Sequence, residues 1–185
     1  VLLGVVVLLA VVAFLFLRGP GFWQRRYYPL QHREALAAAS ARHHVNPYLI
    51  AAVINAESGW DASTRSRVGA VGLMQVMPRT ARDLARKHIV NAEKYPPSEL
   101  SDPSVNIEYG TAYLRVLISR YHEKEAALAA YNAGLANADR WVAQGGNIRN
   151  AIDFPQTRHF VLQVSRGKDR YEALYPHAFE GWSGK

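Results

Sequence analysis

Four prolines punctuate this chain. Pro47, Pro78, Pro103 and Pro155 each head a stretch with helical apolar spacing. A proline suits the first position of a helix, where the missing N–H has no intrahelical partner anyway. Asn46 before Pro47 supplies a capping side chain. The helix it opens carries Leu49, Ile50, Val53 and Ile54, an i, i+1, i+4, i+5 stripe that should face a core. Further helices are predicted over 32–43, 78–88, 103–121, 126–132, 135–144 and 155–164, with Gly59, Gly134 and Gly145-Gly146 as breaks. No stretch alternates with period two, so sheet is minor at most. The pattern predicts one compact all-α domain over residues 33–176, with 177–185 as a C-terminal tail.

The first 17 residues are of a different kind. Val1 to Leu17 carry no charge and no strongly polar side chain. At about 1.5 Å per residue they would span about 25 Å as a helix, the short end of the ~17–25 residue transmembrane range. The segment reads as a single transmembrane signal-anchor helix. A buried core helix and a cleaved signal peptide are the alternatives. Residues 18–32 read as a juxtamembrane linker, in which Trp23, Tyr27 and Tyr28 suit a membrane–water interface. Arg18, Arg25 and Arg26 would by themselves favour the cytoplasmic side, so the orientation must be argued from function.

The net charge of +7 points to an anionic neighbour. No run of five or more Lys/Arg occurs, which argues against nucleic acid. The chain has no cysteine, so disulfides, thiolate metal sites and cysteine nucleophiles are excluded. Its seven histidines show no metal-ligand spacing, and neither metal nor cofactor is expected.

One carboxylate stands out. Glu57 follows the apolar run Ala51-Ala52-Val53-Ile54 in the last turn of its helix. Partial burial and the negative helix end both disfavour its charged form. A carboxyl protonated near neutral pH is what a general acid requires. The plainer alternative is a solvated or capping glutamate. The serines lack a nucleophile-elbow context.

Three motifs add to this reading: Ala56-Glu57-Ser58-Gly59-Trp60, then Gly69-Ala70-Val71-Gly72-Leu73-Met74-Gln75-Val76-Met77-Pro78, then Ala129-Ala130-Tyr131-Asn132-Ala133-Gly134. In this order and spacing they closely resemble the lytic transglycosylases related to the soluble-transglycosylase catalytic domain, over roughly residues 35–168. The segment with Asp102-Pro103, Asn106-Ile107 and Gly110 is similar too. The resemblance implies a goose-type-lysozyme-like helical fold and action on the glycan strands of peptidoglycan. It implies that Glu57 is the catalytic acid/base and that Ser58 hydrogen-bonds near it. Gly72, Leu73, Met74 and Gln75 would line the sugar groove, with the Gln75 amide on substrate. Tyr131 and Asn132 would stand opposite Glu57. Met74 and Tyr131 have plain core alternatives, and Gly72 can serve backbone geometry only. At the last helix the family's Glu-Thr-Arg-x-Tyr pattern reads Gln156-Thr157-Arg158-His159-Phe160, without the carboxylate and the tyrosine hydroxyl.

The implied reaction passes two protons through one residue and leaves a 1,6-anhydromuramoyl end. That would let one carboxylate suffice where ordinary glycosidases use two. The rivals are a hydrolytic lysozyme with Asp61 as base and a non-catalytic wall-binding scaffold. Action on the cell wall would place the domain on the extracytoplasmic side of the cytoplasmic membrane.

Overall fold

The computed structural model describes residues 2–17 and 21–182. Ten α-helices run in order: α1 (Leu2–Leu17), α2 (Gly21–Tyr27), α3 (Arg33–His43), α4 (Pro47–Glu57), α5 (Pro78–Arg86), α6 (Pro103–Tyr121), α7 (Lys124–Ala133), α8 (Leu135–Ala143), α9 (Ile148–Ala151) and α10 (Pro155–Leu174). A 3-10 turn at Pro97–Glu99 precedes α6. The described residues hold no named strand, only the isolated bridges Arg65–Val71 and Val71–Val76 in the loop before α5. All four proline-headed helices form where the sequence places them. At α4 the Asn46 side chain accepts hydrogen bonds from the Tyr48 and Leu49 N–H groups. Asp102 does the same for Ser104 and Val105 at α6.

Two packings build the core. α4 lies against α10, buried on all sides from Pro47 to Ile54. α6 is the second buried helix, with α3 and α7 on its flanks. Each large apolar side chain buried this way contributes about 1.5–3 kcal/mol. α3 is also pinned to α6 by charge. The Glu108 carboxylate, 2% exposed, takes three hydrogen bonds from Arg42 and lies 2.9 Å from His43 Nε2. Burial alone would raise its pKa, but the bonds from His43 and Arg42 outweigh burial and hold it below the ordinary value.

The loop between α4 and α5 runs through the interior at Val71–Met74, where its backbone polar groups need partners. Asn106, on the buried face of α6, makes three hydrogen bonds, two of them to this loop. Its Oδ1 accepts from the Met74 N–H at 2.7 Å, and its Nδ2 donates to Val71 O at 2.7 Å and to Leu100 O at 2.8 Å. Gly72 has φ +77, and any Cβ there would strike the Asn106 amide. Gly110, one turn along α6, leaves the space that Met74 fills.

Three features depart from the sequence expectations. α10 continues ten residues past 164, because Gly167 lets it approach Ala52 of α4 and Tyr171 is buried beyond it. The charged run around Lys168 concealed this continuation. The 18–32 linker is structured where it is described. α2 packs on α10, Tyr171 and Tyr175 donate their hydroxyls to Pro29 O and Tyr28 O, and Tyr28 packs edge-on to Tyr171. Third, no helix among the described residues is long and apolar enough to cross a membrane. As described, α1 has 16 residues. The expected transmembrane helix is not found as such. Part of that segment, Val1 and residues 18–20, lies outside the described residues, as do 183–185 of the tail.

Two outcomes test this packing. A chain beginning at Arg33 loses the Tyr28–Pro29 contacts and should be about 2–4 kcal/mol less stable in urea unfolding than one beginning at Gly21. Equal midpoints would show that residues 21–32 add nothing. Asn106→Ala leaves the Met74 N–H and the Leu100 carbonyl without the partner it supplies in the core and should cost about 2–4 kcal/mol. A loss below about 0.5 kcal/mol, the size of an ordinary surface change, would remove Asn106 from its role.

Candidate active site

Glu57 is the last residue of α4. Eight buried residues precede it, so rotating the carboxyl into water would rotate the apolar stripe out of the core. It lines a cavity of about 410 Å³, with Gln75, Thr80, Tyr113, Tyr131 and Asn132 also on the wall. That volume suits a small-ligand or sugar site, typically ~300–1,000 Å³. Burial raises the Glu57 pKa from 4.5 to about 7. Among the described residues no ion pair or hydrogen bond offsets it. Burial is the cause found, so the helix-end effect anticipated from sequence is not required.

The wall opposite is aromatic. Tyr131 sits in the last turn of α7 and donates its hydroxyl to Met74 O at 2.8 Å. Its pKa is held well above 10, first by burial and then by the charge of Glu57. The two groups therefore sense one another across the cavity. Tyr113 of α6 stands 5.5 Å from Tyr131, ring centroid to centroid, and burial raises its pKa too. Asn132 is exposed on the rim, where its Oδ1 accepts from Thr157 Oγ1 at 2.9 Å, joining α7 to the start of α10.

The motif residues divide into two groups. Glu57, Gln75, Tyr131 and Asn132 line the cavity. Ser58, Gly72, Leu73 and Met74 are not among the residues that line it. Leu73 and Met74 are fully buried, and Gly72 backs onto Asn106. Ser58 Oγ donates to Leu73 O at 2.8 Å, fastening the loop to the end of α4. Gln75 is intermediate. Its φ of +48 is rare for a non-glycine residue, and its Nε2 donates to Thr64 O at 3.0 Å and Gly72 O at 2.8 Å. Both amide protons are thus committed to the loop, and its carbonyl oxygen is the polar group left for the cavity.

Asp61 does not join Glu57 on the cavity wall. It is exposed, and its Oδ1 accepts from the N–H and hydroxyl of Ser63, which lower its pKa. Among the lining residues Glu57 is the one carboxylate. Among the described residues no group of three His, Asp or Glu side chains could hold a metal ion. The sequence reading missed Tyr113, Thr80 and the clamping role of Asn106. Tyr113 and Asn106 lie on the buried face of α6, where an aromatic or an amide reads as core until its neighbours are known.

Comparisons with known proteins agree with this geometry. Residues 34–153 match the family described as Transglycosylase SLT domain. A transglycosylase of Enterobacteria phage PRD1 is 41% identical over 115 residues, 62% of this chain and 39% of that protein. The soluble lytic murein transglycosylase of Escherichia coli K12 is 30% identical over 159 residues, 80% of this chain and 23% of that one. The chain thus spans less than half the length of these relatives. A solved structure of an inactive mutant of lytic transglycosylase Slt from Pseudomonas aeruginosa superposes with a TM-score of 0.72 at 30% identity, covering 84% of this chain and 26% of that one. The helical arrangement is therefore the lysozyme-like one that the three motifs imply, and the chain belongs to the Transglycosylase SLT domain family.

Proposed function

We propose that this chain is a peptidoglycan lytic transglycosylase with Glu57 as its single acid/base. One observation carries the reading: a lone buried carboxyl, with its pKa raised to about 7, in a cavity with no second carboxylate on its wall. Protonated Glu57 gives its proton to the oxygen joining N-acetylmuramic acid to N-acetylglucosamine, and the C1–O bond breaks. The neighbouring 2-acetamido group stabilises the charge at C1. The Glu57 carboxylate then takes the proton of the muramoyl C6 hydroxyl, whose oxygen bonds to C1. Atoms balance without water, and the muramoyl product is a 1,6-anhydro sugar. Glu57 ends protonated, ready for the next bond. Tyr131, its proton held by Met74 O, presents oxygen lone pairs to the cavity, and the Gln75 carbonyl and Asn132 offer polar contacts for the sugar amides.

A hydrolytic lysozyme would need a base to activate water on the opposite face of the sugar. Asp61, exposed and engaged by Ser63, is poorly placed for that. The unoffset burial of Glu57 speaks against a non-catalytic scaffold, since a wall-binding module has no use for a carboxyl it must keep protonated.

We further propose that α1 holds the domain to the cytoplasmic membrane on its outer side. Its residues are apolar throughout, and from 3 to 15 they are exposed, Leu3, Leu8 and Phe14 among them. Trp23 and Tyr27 are largely exposed just behind it. A relative described as membrane-bound lytic murein transglycosylase C, from Edwardsiella ictaluri, is 34% identical over 155 residues, 78% of this chain and 40% of that protein.

Glu57→Gln should lose ~10²–10⁴-fold in turnover of purified peptidoglycan, since an amide donates no proton. It should also gain stability at alkaline pH. A carboxyl whose folded pKa is raised above 4.5 to about 7 destabilises the fold increasingly as pH rises through that window. The variant should match wild type at pH 4 and exceed it by about 1–3 kcal/mol at pH 8 in urea unfolding. Wild-type turnover, or a stability difference that ignores pH, would contradict the assignment.

Product chemistry separates the two enzyme classes. Mass spectrometry of the muramoyl ends should find them lighter by one water than a reducing end and inert to borohydride. Asp61→Asn should change the rate by less than about threefold, far from the ~10²-fold of a lost catalytic base. Reducing ends together with a severe Asp61→Asn defect would establish the lysozyme instead.

A further inference from the structure

Most arginines of this domain are engaged. Arg42, Arg86, Arg120, Arg140 and Arg149 form ion pairs with carboxylates. Arg25, Arg33, Arg65, Arg158 and Arg170 bond to carbonyls or polar side chains. Arg26, Arg67, Arg79, Arg82, Arg115 and Arg166 are exposed and have no such partner among the described residues, and of these Arg67, Arg79 and Arg82 are the ones next to the cavity in the chain.

Each of the three lies within two residues of the chain from a residue that lines the cavity. Ser66 and Val68 line it, and Arg67 stands between them. Met77 and Thr80 line it from the other side of the loop, and Arg79 lies directly before Thr80. Arg82 follows Arg79 by three residues, on the same face of α5. The buried residues of α5, Ala81 and Leu84, point the other way. Outside the cavity, Arg79 and Arg82 border a surface depression of about 520 Å³ that they share with Arg86, Pro97 and one carboxylate, Asp83, which Arg86 engages.

Arg79 is also in the wrong place for its own helix. It occupies the first turn of α5, which has no acidic residue. The positive end of the helix dipole favours an anion there and opposes a cation. A residue that its own helix disfavours, beside a cavity and unpaired, is set up to meet an anion from outside. The sugar rings of peptidoglycan are uncharged. Its anions are the carboxylates of the peptide stems, carried on the lactyl ether of each muramoyl residue. A planar guanidinium matches a carboxylate with two parallel hydrogen bonds.

We propose that Arg67, Arg79 and Arg82 form a cationic rim that receives the stem-peptide carboxylates of the strand lying in the cavity. The proposal rests on the peptidoglycan reading above. Stem-bearing strands bind through cavity and rim together, and stem-free strands through the cavity alone. The rim adds affinity and sets preference among strands; it takes no part in proton transfer.

The test measures binding, so it does not depend on turnover. Full-length protein carrying Glu57→Gln is titrated calorimetrically at low salt with uncross-linked glycan strands, either stem-bearing or stripped of stems by an amidase and then amidated at the lactyl carboxyl that this cleavage frees. Adding Arg67→Glu, Arg79→Glu and Arg82→Glu should weaken binding of stem-bearing strands about tenfold, an effect that fades with added salt. Affinity for stripped strands should stay within about twofold, a margin set by ordinary surface effects. Glutamate at 79 complements the helix dipole, so the melting temperature should not fall. A control with Arg115→Glu and Arg166→Glu changes exposed, unpartnered arginines away from the cavity wall and should leave both affinities alone. Equal losses on both kinds of strand, or the same loss from the control, would mean that overall charge is at work and would overturn the rim. No loss on stem-bearing strands would overturn it too. If the rim result holds while wild-type protein releases no anhydro product, the rim stands and the transglycosylase reading fails.

Discussion

The interior loop from Val71 to Met74 is the constraint on which the site depends. Backbone that enters a core must find partners for its N–H and carbonyl groups. Here the partners are side chains from three places. Asn106 of α6 takes the Met74 N–H and the Val71 carbonyl. Ser58, just past α4, takes the Leu73 carbonyl. Tyr131 of α7 takes the Met74 carbonyl. One loop thus fixes the relative positions of α4, α6 and α7, and those helices carry Glu57, Tyr113 and Tyr131. The motif residues that never touch the cavity are the ones that hold its shape.

That arrangement also decides the state of Glu57. The helix that carries it is buried to within three residues of its end, and the cavity wall beside it offers tyrosines in place of cations. Contrast Glu108, more deeply buried yet held ionised by Arg42 and His43. The two carboxyls differ in their neighbours, not in their chemistry. A partnered one locks α3 to α6. An unpartnered one keeps its proton near neutral pH and can give it away. The fold tolerates the cost of the second because the interior around it is otherwise satisfied: no buried side-chain polar atom among the described residues lacks a partner.

Much of this was legible in the sequence. Proline at a helix start and a capping Asn or Asp act within three or four residues, so α4, α5, α6 and α10 begin where the chain says they do. The burial of the Glu57 carboxyl was legible as well, since an acidic residue closing an apolar run has a limited choice of surroundings. The three motifs named the family because their order and spacing encode one shared arrangement. The tertiary structure decided the rest. Whether Met74 faces sugar or core turns on the space left by Gly110, 36 residues away in the chain. Whether Gln75 can offer its amide turns on the carbonyls of Thr64 and Gly72. Whether Asp61 can act as a base turns on Ser63 and on the direction of the chain after Gly59. Local rules determine where helices start and which residues are candidates. Burial and hydrogen-bond partners come from segments distant in sequence, and they alone separate residues that line the cavity from residues that do not.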